Sequence, residues 1–249
     1  MSEQHYFKYT ISVILAPMLA VLAIWFVYWV EINFHINLNS HGIYPRKVSG
    51  LQGVLFSPFI HGSIKHLYNN TIPLAVLLAS LFYFYREHAI KVLLLGVLLS
   101  GLFTWVIGRP SYHIGASGVI YLLVSFIFFK GIITKYYRLV ALSLLVVFIY
   151  GSLLWYIFPI KDGISWEGHL GGFLVGLLFA IVFKTKIPTV KKYVWEKDDY
   201  NEEEDVFLQH FDEDGNFIEK LPEESKNNIS EKVKIIYHLK NDPTSTNKL

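Results

Sequence analysis

Two polar side chains with glycine neighbours stand at the start of apolar segments in this 249-residue chain. Ser117 precedes Gly118, and His169 follows Gly168. Polar and ionisable groups at membrane depth are costly and tend to mark functional sites. A serine hydroxyl that gives its proton to a histidine becomes a nucleophile for acyl transfer. The two residues therefore suggest a serine hydrolase whose active site lies inside the bilayer or at its edge.

Apolar residues are concentrated in six runs along the chain. They make up 53% of the sequence and charged residues 17%, so the chain is far more apolar than an ordinary soluble domain. The runs are 11–29, 67–85, 92–107, 117–129, 139–158 and 169–183. Because about 20 residues cross a bilayer as a helix, we expect an all-α polytopic membrane protein with six transmembrane helices.

The first and fourth runs carry two further expectations. Run 11–29 is too long for the apolar part of a signal peptide and no small-residue cleavage site follows it, so we expect it to be retained. Run 117–129 is short, so we expect its helix to continue through 131–134. Lys130 would then extend its ammonium group toward water, as long basic side chains do near helix ends.

Basic residues and the C-terminal composition predict the topology. Lys and Arg are more frequent on the side that holds both termini, so both termini are expected in the cytoplasm. We expect residues 1–186 to form the six-helix core and 187–249 to form a short polar cytoplasmic tail that is partly disordered. Within this tail, residues 212–215 are predicted to turn between short strands at 206–208 and 217–218.

The serine lies in a Gly-x-Ser-Gly motif made of Gly115, Ser117 and Gly118. Val119 stands where the nucleophile elbow of soluble hydrolases has its second glycine, so that fold is not indicated. Glycines of this kind also allow two membrane helices to pack closely. Helix packing is therefore the alternative interpretation of this motif.

Glycines at 168, 172 and 176 follow one face of the helix that carries His169. This spacing makes a groove in which a second backbone can lie close. The alternative is a packing groove with an incidental histidine. If the groove receives the helix of Ser117, the two side chains can reach the hydrogen-bond distance of about 2.6–3.2 Å that catalysis requires. Gly172 and Gly176 would then be supporting residues.

A polar cluster begins the second apolar run. His66 and Asn70 are four residues apart and project from one helix face. Donors fixed near a nucleophile could stabilise the oxyanion of a tetrahedral intermediate, whereas the alternative is a set of polar residues at a wet helix end. Tyr121, one turn after Ser117, could pack on His169 or could be an ordinary bilayer aromatic.

The carboxylates near His169 do not suggest a third member of a catalytic triad. Asp162 and Glu167 are expected in the loop before His169, outside hydrogen-bond reach of its ring. A Ser–His dyad is therefore the simplest arrangement. The sequence has no cysteine, which excludes cysteine nucleophiles and thiolate metal sites.

Together these motifs resemble the rhomboid family of intramembrane serine proteases, over about residues 43–183. The resemblance lies in His-x4-His-x3-Asn in the second run, Gly-x-Ser-Gly with Tyr121 in the fourth, and His-x2-Gly-x3-Gly in the sixth. The Trp-Arg pair often found in the long first loop of the family is absent from 31–60. The resemblance implies a six-helix rhomboid-like bundle.

The resemblance also implies a role for each residue. Ser117 would be the nucleophile and His169 the general base and then acid. His66, Asn70 and the Ser117 amide would surround the oxyanion. Tyr121 would orient His169, and the remaining supporting residues would be Gly115, Gly118, Gly172, Gly176 and His61, the last of which would help to hold the first loop.

The expected function is that of an intramembrane serine endopeptidase. It would cleave membrane-anchored protein substrates within or near their transmembrane segment, with small residues near the cleaved bond. The alternatives are a rhomboid-like pseudoprotease that binds membrane clients without cleavage, and a small transporter or channel. We expect the lipid bilayer as surroundings, no metal, no cofactor and no nucleic-acid partner, and a bacterial inner-membrane location. The glycine groove could also serve a dimer, so the sequence leaves the oligomeric state open.

Overall fold

The computed structural model describes residues 7–185 and 193–218. The chain divides into two compact units, Met1–Thr189 and Val190–Leu249. The predicted domain boundary after residue 186 lies outside the described residues, as do the C-terminal residues 219–249 that were expected to include disorder.

The first unit contains six long apolar helices within residues 7–185. They are α1 (Ser12–Phe34), α2 (Ile64–Phe84), α3 (Arg86–Ile107), α4 (Ser117–Thr134), α5 (Tyr137–Tyr150) and α6 (Trp166–Val182). A 3-10 segment, Gly151–Ile157, continues α5. Five of these elements are long and apolar enough to cross a membrane, α5 being counted together with its 3-10 segment. The sixth, α6, is an apolar helix of 17 residues. The protein is therefore a helical integral membrane protein.

Helix α4 lies at the centre of the unit. It packs most extensively on α6 and also contacts α2, α3 and α5, while α1 packs on α2. The side chains of Leu122, Leu123, Phe126 and Ile127 on α4 are fully buried. Because α4 is surrounded by other helices, residues at its first turn face protein rather than lipid.

Lys130 on α4 differs from the expectation that it extends toward water. Its side chain is buried, and its ammonium group donates to the backbone carbonyl of Ala180 at 3.0 Å and to that of Phe183. The last carbonyls of a helix have no donor within the helix, and a lysine can satisfy them while complementing the helix dipole. The expectation was wrong because the end of α6 lies within reach.

The long first loop is folded onto the bundle rather than extended. It contains short helical segments at Asn39–His41, Val48–Gly50, Gly53–Phe56 and Ser57–Phe59. Ile43 pairs with His113 in an isolated antiparallel bridge. The Arg46 guanidinium donates to the carbonyls of Val106 and Gly108, and the Trp105 indole donates to the Lys47 carbonyl. These contacts fix the loop to the end of α3, although the loop has no Trp-Arg pair.

The second unit is described over 193–218. It has short 3-10 segments at Val194–Glu196, Glu202–Glu204 and Leu208–His210. The Asp212 carboxylate accepts from the amides of Asp214 and Asn216, which forms the predicted turn. The predicted flanking strands are wrong, because Phe211 and Phe217 pair only in an isolated bridge.

Candidate active site

Ser117 is the first residue of α4, and the turn before it is held by two hydrogen bonds. The Gly115 amide donates to the Ser57 carbonyl at 2.8 Å, and the Ala116 amide lies 3.4 Å from His61 Nε2. Gly115 has φ of +108°, a conformation that favours glycine. The glycine of the motif thus lets the chain turn sharply into α4 and places the serine at the end of the helix.

His169 lies in the first turn of α6 and faces this serine. Its Nε2 is 2.9 Å from Ser117 Oγ, and its Nδ1 is 2.9 Å from the backbone carbonyl of Tyr156. A carbonyl oxygen can only accept, so in the neutral ring Nδ1 carries the hydrogen and Nε2 accepts from the serine hydroxyl. This is the tautomer that a general base for Ser117 needs.

Glycines of α6 make this contact possible. A methyl group at Gly172 would stand 2.1 Å from the Gly118 carbonyl, and one at Gly176 would stand 2.3 Å from the Leu122 carbonyl. A methyl group at Gly118 itself would lie 3.3 Å from the Gly168 carbonyl. The backbones of α4 and α6 therefore meet directly, as the glycine spacing predicted.

Tyr121 packs on His169 and is anchored in its turn. The two rings are stacked, with centroids 4.2 Å apart and planes 9° from parallel. The Tyr121 hydroxyl donates to the Leu153 carbonyl at 2.6 Å. Leu153 and Tyr156 both belong to Gly151–Ile157, so this segment supplies the carbonyl partner of each stacked ring.

His66 and Asn70 on α2 approach the serine from the other side. A methyl group at Gly115 would lie 2.6 Å from His66 Nε2 and 3.5 Å from Asn70 Nδ2. Asn70 is buried, and its Nδ2 has no hydrogen-bond partner. Both side chains line a cleft of about 920 Å³ together with Ser117 and His169. A buried donor without a partner costs free energy. This arrangement is expected of a group that donates to an acceptor on a bound ligand.

His61 lies next to this cluster. It is buried, its Nδ1 is 3.2 Å from the Phe59 carbonyl, and its ring packs edge-on against His66. Burial is the main cause that lowers the pKa of His61 to about 4, and the nearby His66 adds to it. His61 thus joins the last residues of the first loop to the turn before Ser117.

Several partners at this site were not found from the sequence. The carbonyls of Leu153 and Tyr156 belong to the backbone and leave no signal in the residue pattern. Glu167 was expected in the loop before His169, and that expectation is wrong. It lies inside α6, where its buried carboxylate accepts from the Arg109 amide at 3.1 Å. A carboxylate beside a run of apolar residues was the signal that could have revealed it.

Metal ligation is not a feature of the described residues. Within 7–185 and 193–218, no three His, Asp or Glu side chains come together as a metal site.

A family comparison covers most of this site. The sequence profile of the Rhomboid domain matches residues 49–186, which is more than half of the chain. The chain belongs to the rhomboid family. The match spans α2 to α6 and includes every residue described above as facing the cleft.

Relatives of this rhomboid protein occur in mycobacteria. Uncharacterized proteins of Mycobacterium bovis and Mycobacterium tuberculosis (strain H37Rv) are each 39% identical to it over 157 residues, which is 57% of this chain and 63% of the relative. An uncharacterized protein of Mycobacterium leprae is 34% identical over 153 residues, covering 58% of this chain and 61% of the relative. The chain thus matches less than two thirds of the length of each.

Proposed function

We propose that this rhomboid protein is an intramembrane serine endopeptidase that acts through a Ser117–His169 dyad. The observation that carries the proposal is the pair of 2.9 Å contacts of the His169 ring, one to Ser117 Oγ and one to the Tyr156 carbonyl. The first gives the serine a proton acceptor, and the second fixes the tautomer that can accept. A histidine that only packs in a bundle needs neither.

In the acylation step Ser117 Oγ attacks the carbonyl carbon of a substrate peptide bond. The serine proton passes to His169 Nε2, a C–O bond forms, and the carbonyl oxygen becomes an oxyanion. When the tetrahedral intermediate collapses, the C–N bond breaks and the leaving amine takes the proton from His169. The Tyr156 carbonyl holds the imidazolium in place throughout, because Nδ1–H continues to donate to it.

The oxyanion needs donors that are in place before the reaction. Asn70 Nδ2, His66 and the Ser117 amide are the candidates on this side of the serine. Donors oriented in advance stabilise the developing charge without reorganising, and the unpaired Asn70 amide supports this role. In deacylation a water molecule attacks the ester, His169 takes its proton, and Ser117 leaves as the alcohol.

The substrates in this proposal are membrane-anchored proteins. A regular helix shields its peptide bonds, so the cleaved segment must unwind in or near its transmembrane part. The cleft lies at the starts of α2, α4 and α6, which in the proposed topology share one membrane face. We place that face outside, with six spans in residues 1–186, a cytoplasmic tail in 187–249, and the protein in a bacterial inner membrane, because Lys and Arg favour the other face.

The test uses protein reconstituted in liposomes with a membrane-anchored model substrate. We expect the parent to cleave the substrate, and both Ser117→Ala and His169→Ala to reduce cleavage by at least about 10³-fold. Circular dichroism checks that all three proteins are folded. Cleavage that persists in Ser117→Ala would contradict the proposal. A folded parent that binds substrates with different transmembrane segments and cleaves none would indicate a pseudoprotease.

A further inference from the structure

A buried polar cluster lies behind the dyad, at the start of α6. Its centre is Glu167, which is 1% exposed. The Glu167 carboxylate accepts from the Arg109 amide at 3.1 Å and lies 3.7 Å from the Arg109 guanidinium. The other carboxylate oxygen lies 3.9 Å from His113 Nδ1 and has no hydrogen-bond partner. The contacts with Arg109 offset part of the hydration that this buried carboxylate loses.

Donors and acceptors around His113 form a consistent set. His113 Nε2 is 3.1 Å from the Arg109 carbonyl, and Nδ1 is 2.6 Å from Ser165 Oγ. Burial lowers the pKa of His113, and the partners that raise it do not outweigh that effect. In the neutral ring Nε2–H donates to the carbonyl, so Nδ1 accepts from the Ser165 hydroxyl. The same hydroxyl oxygen accepts from the Gly168 amide and caps α6.

The cluster joins the two halves of the dyad. His113 lies four residues before Ser117 and pairs with Ile43 of the first loop through hydrogen bonds of 2.8 and 3.0 Å. Glu167 lies two residues before His169 in the first turn of α6. Contacts between the loop before α4 and the start of α6 therefore limit the distance between Ser117 and His169.

We propose that Glu167, together with His113 and Ser165, is a positioning residue that fixes the first turn of α6 and thereby holds His169 against Ser117. This inference rests on the proposed function. Glu167 touches neither the dyad nor the cleft; His113 and Ser165 line the cleft and Glu167 lies behind them. Glu167 therefore acts on the rate of the chemical step rather than on substrate binding.

The discriminating variants separate shape from hydrogen bonding. Glu167→Leu keeps the volume and removes the acceptor, whereas Glu167→Gln keeps an oxygen that can accept from the Arg109 amide. Because misplacement by about 1 Å can cost about 10²-fold in rate, we expect Glu167→Leu to lose about 10²-fold in kcat with KM close to that of the parent. Glu167→Gln should recover most of the kcat.

A matched control lies at the other end of the same helix pair. Lys130→Met removes the donor that holds the last carbonyls of α6, so it should lower thermal stability while leaving kcat close to that of the parent. If Glu167→Leu does not fold, Ser165→Ala and Ser165→Thr repeat the comparison, because threonine keeps the hydroxyl that serves His113 and Gly168.

Amide hydrogen exchange over residues 166–172 provides a readout that does not depend on activity. We expect faster exchange there in Glu167→Leu and not in Lys130→Met. Parent-like kcat in Glu167→Leu, a rise in KM that accounts for its lower kcat/KM, or an equal loss of kcat in Lys130→Met would overturn the inference. If the parent cleaves nothing, the proposed function fails, and exchange still decides whether the cluster holds α6: unchanged exchange in Glu167→Leu refutes it.

Discussion

Tyr121 stacks face to face on His169, with ring centroids 4.2 Å apart. Each ring also has a partner in the same backbone segment, Gly151–Ile157: the Tyr121 hydroxyl donates to the Leu153 carbonyl, and His169 Nδ1 faces the Tyr156 carbonyl. The 3-10 segment that follows α5 therefore fixes both the position and the tilt of the histidine. In the proposed mechanism the Tyr156 carbonyl takes the place that a carboxylate has in a catalytic triad.

Substitutions of Tyr121 separate the stacking from the hydrogen bond. Tyr121→Phe keeps the ring and loses the bond to Leu153, so we expect kcat to fall by about 2–10-fold. Tyr121→Leu also loses the stacking, which contributes about 0.5–1.5 kcal/mol, and should fall by about 10–100-fold in total. Steady-state cleavage of the model substrate measures both. Equal activity of the two variants would contradict a role for the ring.

Substitution of Asn70 by an apolar residue is expected to have opposite effects on activity and stability. Asn70→Leu removes a proposed oxyanion donor, so kcat should fall by about 10²–10³-fold. It also removes a buried unpaired donor, so the free energy of unfolding should stay the same or rise. Cleavage kinetics and thermal unfolding of the same preparation measure the two effects. A parallel loss of stability and activity would instead mean that Asn70 is a structural residue.

Gly172 tests whether the close approach of α4 and α6 is needed. Gly172→Ala would place a methyl group 2.1 Å from the Gly118 carbonyl, and such overpacking costs about 1–3 kcal/mol. Moving the helices apart should also lower kcat by about 10²-fold. Gly151→Ala is the control, because its methyl group would meet only Val147 at an ordinary 3.5 Å. If both variants behave like the parent, the groove does not set the dyad.

The buried His61 is expected to make part of the free energy of unfolding sensitive to acid. Burial lowers its pKa from 6.5 to about 4 in the folded protein, so the unfolded chain binds this proton first as the pH falls. The contribution is complete above about pH 6.5 and is lost between about pH 6.5 and 4, at most about 3 kcal/mol. His61→Gln cannot titrate, so its unfolding free energy should fall less over that range. An unchanged pH dependence would show that His61 is not the group responsible.

The sequence predicted the apolar helices and the meeting of Ser117, His169 and Tyr121. Long uncharged runs leave few alternatives to helices in a bilayer, and the glycine spacing of α6 predicted its approach to Ser117. The assignment of Glu167 to a loop was wrong because α6 begins at Trp166 and the Arg109 amide donates to the buried carboxylate. The expectation for Lys130 was wrong because its ammonium group donates to the last carbonyls of α6.

The features that could not be predicted are tertiary contacts and contacts made by backbone groups. No residue pattern shows that the carbonyls of Leu153 and Tyr156 face the two stacked rings. The anchoring of the first loop by Arg46 depends on where α3 ends, which local propensity does not give. In the second unit, the turn at Asp212 follows from its own side chain. Within residues 193–218, Phe211 and Phe217 form an isolated bridge, and a two-stranded hairpin alone is marginally stable in water.

The nucleophile is identified most directly by the site at which a fluorophosphonate probe reacts, mapped by mass spectrometry on the folded protein. We predict a single adduct on Ser117 that is absent from Ser117→Ala and strongly reduced in His169→Ala. Ser165 is an internal control, because its hydroxyl lies 2.6 Å from a nitrogen of another histidine, His113. An adduct on Ser165, or labelling that persists in Ser117→Ala, would contradict the assignment of the nucleophile.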